Sequence, residues 1–173
     1  MKLLRPTMEY DRQIQAYRAE FLACGSSMDG CGRLRRFEDS AAWIEYLRAE
    51  QDLTFLCVRE EDDRLVGMVQ LRPRLDNEVL ERYAGNLGYS VAPSQRRRGY
   101  ATAILATALE KCRDLGLRRV LVSCKTDNEA SRRVILHNGG VYESTVCWPE
   151  RAVNLERYWI EIQTNDTNTD SQE

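Results

Sequence analysis

What this chain has little of narrows its chemistry first. It holds one histidine, His137, and its six cysteines (Cys24, Cys31, Cys57, Cys112, Cys124 and Cys147) form no Cys-x-x-Cys pair. Metal sites of the zinc type draw on clustered Cys and His at short spacings, so no metal is expected. Neither sign of charge dominates, because 25 basic residues stand against 27 acidic ones, a formal net charge of -2. That balance supplies no field to draw in nucleic acid or an anionic membrane, and neither is expected as a partner. No apolar run reaches the length of a membrane span, and Met1 to Pro6 lacks the apolar stretch of a secretion signal. Most of the cysteines sit singly in apolar stretches, as small core hydrophobes do, which fits a reducing compartment and makes the cytoplasm the expected location.

At 173 residues and 43% hydrophobic composition, the chain suffices for one well-buried core and is short for two. A first strand over Lys2 to Arg5 ends at Pro6, and Thr7 stands as the N-cap of a helix carrying Ile14, Tyr17, Phe21 and Leu22. The Gly- and Ser-rich stretch Cys24 to Arg33 reads as an irregular, mobile loop, and Trp43, Ile44 and Leu47 mark a second helix from Ser40. The β-branched and aromatic runs 53–59 and 64–72 flank the acidic turn 60–63, which predicts an antiparallel hairpin. A strand over 86–91 leads into a long helix with Ile104, Leu105, Ala108, Leu109, Cys112 and Leu115 on its core face and Gly116 after its end. Arg119 to Cys124 is then a strand parallel to the one before that helix, as a crossover requires. Thr126 and Glu129 have capping-box spacing for a further helix ending at Gly139 or Gly140, and 141–147 and 155–162 make two more strands. The polar stretch 164–173 reads as a disordered tail, which leaves 1–163 as the domain.

The stretch Leu87 to Ala101 joins a strand to the long helix through a turn with three consecutive arginines, Arg96, Arg97 and Arg98, followed by Gly99. The first N–H groups of a helix lack intrahelical partners and carry the positive end of its dipole, so anions settle there. Gly99 removes the Cβ that would block close approach, small Ala101 and Thr102 keep the first turn open, and the guanidinium groups add bidentate donors. A solvated charged turn is the plainer reading of the arginines alone.

Val91-x-Pro93-x-x-Arg96-x-x-Gly99-x-Ala101 closely resembles the acyl-coenzyme A signature of the GNAT acetyltransferases. Asn128-x-x-Ser131, opening a short helix that stops at glycine, resembles the second element of that family. The resemblance covers roughly residues 85 to 147 and implies a single-domain α/β (α+β) GNAT fold. Its sheet would be mixed and mainly antiparallel, of about seven strands, with flanking helices and a splayed central parallel pair. It also implies acetyl-CoA as co-substrate and an amine of a small molecule or peptide as acceptor, attacked directly within a ternary complex. On the family pattern, the backbone of Tyr89, Ser90 and Val91 pairs with the pantetheine arm. The turn from Arg96 through Tyr100 to Ala101 and Thr102 cradles the pyrophosphate, and one of Arg96, Arg97 or Arg98 reaches the ribose phosphate. Asn128 hydrogen-bonds the pantetheine arm, with Ser131 near it, although both residue types also cap helices for local reasons.

The proton-moving residues depart from the commonest pattern. Ile135 stands seven residues after Asn128, where many members carry a tyrosine acid, and Leu87 and Gly88 stand where many carry a strand carboxylate. The sequence is similar in this to a branch containing ribosomal-protein N-terminal and polyamine acetyltransferases. Ser131 becomes the candidate proton donor to the thiolate. Glu78, Glu81 and Glu143 are candidates to relay the amine proton through water, with Tyr89 as a weaker choice. Cys124, near the end of its strand, could approach the acyl group, but a buried thiol is the plainer account. His137 is expected on the exposed end of its helix, and Tyr142, Trp148, Tyr158 and Trp159 either line an acceptor pocket or pack in the core. The alternative to an enzyme is an acyl-CoA binding or sensing module without catalysis. The acceptor is expected to be chosen by the loop 25–33, the segment 72–84 and the last hairpin. Related domains dimerise through sheets or C-terminal strands, so a homodimer stays open.

Overall fold

Seven strands, the central ones near-continuous apolar runs buried on both faces, build one sheet in the computed structural model, which describes residues 1–163. The strands are β1 (Lys2–Leu4), β2 (Leu53–Arg59), β3 (Arg64–Leu71), β4 (Leu87–Val91), β5 (Arg119–Lys125), β6 (Val141–Trp148) and β7 (Val153–Glu161), in the order β1-β2-β3-β4-β5-β7-β6. Every neighbouring pair is antiparallel except β4 and β5, which run parallel and share a single registered pair, Leu87 with Val122. Beyond that pair the two strands part. This is the mixed sheet with a splayed central pair that the family resemblance implies. The stretch 164–173, read as a disordered tail, lies outside the described residues.

Four helices cover the sheet: α1 (Asp11–Cys24), α2 (Ser40–Ala49), α3 (Tyr100–Asp114) and α4 (Glu129–His137). Ile14, Tyr17 and Phe21 of α1 and Trp43, Ile44 and Leu47 of α2 pack with Leu56 and Met68 on one face. Ile104, Leu105, Ala108 and Cys112 of α3 and Ile135 of α4 pack with Val69, Leu87, Val122 and Ile160 on the other. The period of two along each strand does the sorting, so Tyr89 and Val91 join the α3 side while Ser90, between them, meets Tyr17 and Cys31.

The splay has a hinge pin that sequence pattern alone does not single out. Buried Asn86 donates from Nδ2 to the Arg72 carbonyl at 2.9 Å and accepts from the Leu121 amide at 2.8 Å, while its own amide donates to the Leu121 carbonyl at 2.7 Å. It therefore ties the end of β3 to β5 just below the point where β4 and β5 separate.

Several local expectations shift. Thr7 makes no side-chain cap and heads only a 3-10 turn, Met8–Tyr10, so α1 begins at Asp11. Leu22 is exposed because one residue past buried Phe21 the helix has turned about 100° toward solvent. Leu115 is exposed likewise, since α3 ends before it and Leu117 packs on the core instead. Asn128, not Thr126, caps α4. The loop 24–33 is irregular as expected, but Cys31 and Leu34 are buried and anchor it to the α1 side. No helix among the described residues is long and apolar enough to cross a membrane.

Asp39 caps α2, accepting from the amides of Ala41 and Ala42, each at 3.1 Å. Asp39→Ala is expected to lower stability by about 1 kcal/mol, read as a lower urea midpoint with an unchanged slope.

Candidate active site

The chain leaves β4 at Val91, makes the 3-10 turn Pro93–Gln95, and reaches α3 through two left-handed residues, Arg97 (φ 62°) and Gly99 (φ 80°). A Cβ on Gly99 would meet no atom within 4 Å, so the space before the first turn of α3 is open. Asp39 and Asn128 cap their helices with side-chain oxygens, whereas α3 begins after a glycine and has no side-chain cap. Its leading N–H groups are thus left to whatever enters that space.

Arg96 and Arg97 line the resulting cleft of about 590 Å3, together with Gly99, Tyr100, Ala101 and Thr102. Arg96 is held over the Phe21 ring at 5.4 Å and donates to Ser26 Oγ at 3.2 Å. Tyr100 is fixed by Arg59, which donates to its hydroxyl at 2.6 Å. Arg98 is exposed, donates to Gln95 Oε1 at 3.4 Å, and does not line the cleft. The opposite wall is Tyr89, Ser90 and Val91 of β4 and Asn128, Ala130, Ser131 and Val134 of α4, while Ser26, Ser27 and Asp29 close one end. A smaller cleft of about 370 Å3 between α1 and the start of β3 contains none of the residues expected to act.

Inside the larger cleft, Tyr89 OH and Ser131 Oγ share a hydrogen bond of 3.0 Å. Burial pushes the Tyr89 hydroxyl up to about 12, partly opposed by the bond to Ser131. Both groups are therefore protonated at neutral pH and able to donate. Ser131 is placed by the cap at its own amide, which donates to Asn128 Oδ1 at 3.1 Å, and by its neighbour Arg132. Arg132 donates to both oxygens of Glu156, at 2.6 and 2.8 Å, and to the Thr126 carbonyl, clamping the first turn of α4 to β7. The bond from Arg132 holds the Glu156 carboxyl below its usual range.

The other candidates stand elsewhere. Glu78 and Glu81 are exposed on the connection 72–84, where Asn77 Oδ1 accepts from the Leu80 amide and turns the segment along the surface, and neither lines the cleft. Glu78 pairs with Arg82 at 3.4 Å. Glu143 accepts from Trp159 Nε1 at 2.8 Å and faces Arg157 at 2.7 Å, bonds that lower its pKa away from the cleft. Cys124 is buried in the core beside the cleft, its thiol pushed up to about 11 by burial. Ile135 is wholly buried in the core, and His137 is exposed at the end of α4. Trp148 stacks on Tyr83 at 4.6 Å, Arg119 lies 4.3 Å over Trp159, Tyr158 is buried, and Tyr142 is exposed on the edge strand; none of them lines the cleft.

Sequence reasoning passed over Gly30 and Asp29. A Cβ on Gly30 would lie 2.0 Å from the Gly88 carbonyl oxygen, and one on Gly88 would lie 3.3 Å from the Gly30 amide nitrogen. Two backbones touch here, so the position where a strand carboxylate is common is filled by the loop. Ser90 Oγ donates to the Asp29 carbonyl at 2.5 Å, and Ser27 Oγ donates to Asp29 Oδ2 at 2.8 Å. A glycine inside a strand was the available signal, since it marks close approach of another backbone.

The model of the acetyltransferase (GNAT) family matches residues 13–139. No curated protein matches the chain. Among solved structures, RimL, a ribosomal L7/L12 alpha-N-protein acetyltransferase in complex with coenzyme A, superposes with a TM-score of 0.69 at 15% identity, covering 92% of this chain and 93% of its own. Spermidine N-acetyltransferase SpeG from Vibrio cholerae gives 0.67 at 15% identity over 93% of this chain and 95% of that one. The yncA protein of Salmonella typhimurium, solved with acetyl-CoA, gives 0.65 at 13% identity over 98% of each. At such identities the likeness is one of fold.

Proposed function

The chain belongs to the GNAT acetyltransferase family, and from that membership we propose that it transfers an acetyl group from acetyl-CoA to a primary amine of a small molecule or peptide, by direct attack in a ternary complex. The observation that carries this reading is the Tyr89–Ser131 hydroxyl pair, set in the same cleft as the uncapped start of α3. Acetyl-CoA supplies an activated thioester. The residues present suit it: amides from Arg96 to Thr102 and the guanidinium groups of Arg96 and Arg97 meet phosphates, with exposed Arg98 in reach of the ribose phosphate. The edge of β4 from Gly88 to Val91, unpaired toward β5, takes the pantetheine arm beside Asn128.

Ser131 gives its proton to the departing sulfur, and Tyr89 restores it from behind. Cys124 packs under this pair without a share in the transfer. The acceptor stands in the class exemplified by spermidine for SpeG and by a protein α-amine for RimL.

Ile135 and Gly88 favour one other reading, a module that binds acyl-CoA without turning it over. The two separate on free thiol released from acetyl-CoA in the presence of spermidine or of a peptide with an unblocked N-terminus. Amine-dependent release supports transfer; tight donor binding with no release from any primary amine supports the sensing module.

A further inference from the structure

Of the described residues that line the cleft, Asp29, in the loop between α1 and α2, is the one carboxylate, set in the same lining as Arg96 and Arg97. A primary amine reaches an enzyme mostly as its ammonium ion, since alkylamines have pKa values near ~10. That cation needs a carboxylate partner, and Asp29 is the one the described lining offers. The amine must also shed its proton close to the acetyl carbon, and the strand position where a carboxylate would take it is glycine.

We propose that Asp29 is the catalytic carboxylate of this protein: it anchors the acceptor ammonium and takes its proton. This rests on the acetyltransferase reading above. The loop delivers what the strand lacks. Gly30 seats against Gly88, Ser90 Oγ fixes the Asp29 carbonyl, and Ser27 donates to Oδ2, which leaves the other carboxylate oxygen for the amine. Arg72, at the end of β3, is engaged elsewhere: it pairs with Asp52 at 3.6 Å and is tied to Gln70 Oε1 at 2.8 Å and the Gly85 carbonyl at 3.3 Å.

The proton count closes. The ammonium gives one proton to Asp29, and the free nitrogen lone pair forms the C–N bond to the acetyl carbonyl carbon. The cationic nitrogen of the tetrahedral intermediate, now strongly acidic, loses its second proton directly to water as the C–S bond breaks, and Asp29 returns the first proton to water to close the turnover. The sulfur takes a proton from Ser131, which is refilled through Tyr89 from water. One net proton is released per amide and free thiol formed.

Two nearly isosteric probes test this, ethylamine and methoxyamine. The first is an ammonium ion at neutral pH, and the second is largely the free base because its oxygen withdraws charge from the nitrogen. For Asp29→Asn, kcat/KM for ethylamine at pH 7 should fall about 100-fold, the lower end for loss of a general base, and that for methoxyamine by no more than about threefold. The dissociation constant of CoA, measured by calorimetry, should stay within about twofold, since the donor end is untouched. Equal losses with both amines would reduce Asp29 to a structural role, and no loss with ethylamine would overturn the proposal outright. Wild-type protein that releases no thiol with these amines, with spermidine or with an unblocked peptide would instead overturn the acetyltransferase reading. Wild-type turnover with an unimpaired Asn variant would overturn only the role of Asp29.

Discussion

Ser131→Ala is expected to lower kcat by about 1000-fold with the affinity for acetyl-CoA held within about twofold, the pattern of a group that acts only in the transition state. The thiolate leaving group needs a proton as the C–S bond breaks. Within the cleft the hydroxyl pair Ser131 and Tyr89 is hydrogen-bonded and supported from behind by the Asn128 cap and the Arg132–Glu156 clamp. Alanine keeps the helix start, because the cap uses the backbone amide of residue 131 and not its side chain. Tyr89→Phe should cost less, about tenfold, since Ser131 would still donate once and refill from water. The pH profile gives a second check. A raised pKa keeps the proton on Tyr89, so as pH rises the loss of this donor should appear only toward about 12. Undiminished turnover by Ser131→Ala would remove the hydroxyl pair from the mechanism.

Gly30→Ala is expected to destabilise the fold by about 3 kcal/mol, from left-handed strain of ~1–2 kcal/mol and overpacking of ~1–3 kcal/mol. The backbone there has φ 69°, and the new methyl would sit 2.0 Å from the Gly88 carbonyl oxygen, an atom of a central strand that cannot swing aside. Gly25 supplies the control. Its φ is 63°, but a Cβ would meet nothing within 4 Å, so Gly25→Ala should cost only the strain, about 1 kcal/mol. Urea midpoints of the two variants separate contact from conformation. Because Gly30 seats the loop that carries Asp29, the Gly30 variant should also lose amine turnover under conditions where it is still folded. Equal stability losses at the two glycines would mean that the loop does not depend on contact with β4.

These two expectations come from features of unequal visibility in the sequence. The strands, the hairpin 53–72 and the turn into α3 were legible because local signals agree there: alternation, an acidic turn, and a glycine that the open φ of residue 99 requires. The residues gathered around that turn were legible through family resemblance, and the structure brings Tyr89, Arg96, Asn128 and Ser131 into one cleft. What resisted was tertiary. Leu22 and Leu115 lie near apolar stripes but at the wrong angle or past the end of a helix, which composition cannot reveal. The loop 24–33 has a sequence like a solvated linker, yet Gly30 fits only because Gly88, far along the chain, also lacks a side chain. Asn86 reads in the sequence as the first residue of a strand, but that strand begins at Leu87 and the Asn86 side chain bridges β3 and β5. Glu78 and Glu81 were attractive by charge and position alone, and the cap at Asn77 sends them along the surface.

A crystal structure of the acetyl-CoA complex tests the central claim most directly. The predicted result places the pyrophosphate against the amides from Arg96 to Thr102, the pantetheine arm along the open edge of β4, and the thioester sulfur within hydrogen-bonding reach of Ser131 Oγ, with the acetyl carbon facing Asp29. A donor bound with its thioester away from the Tyr89–Ser131 pair would contradict it.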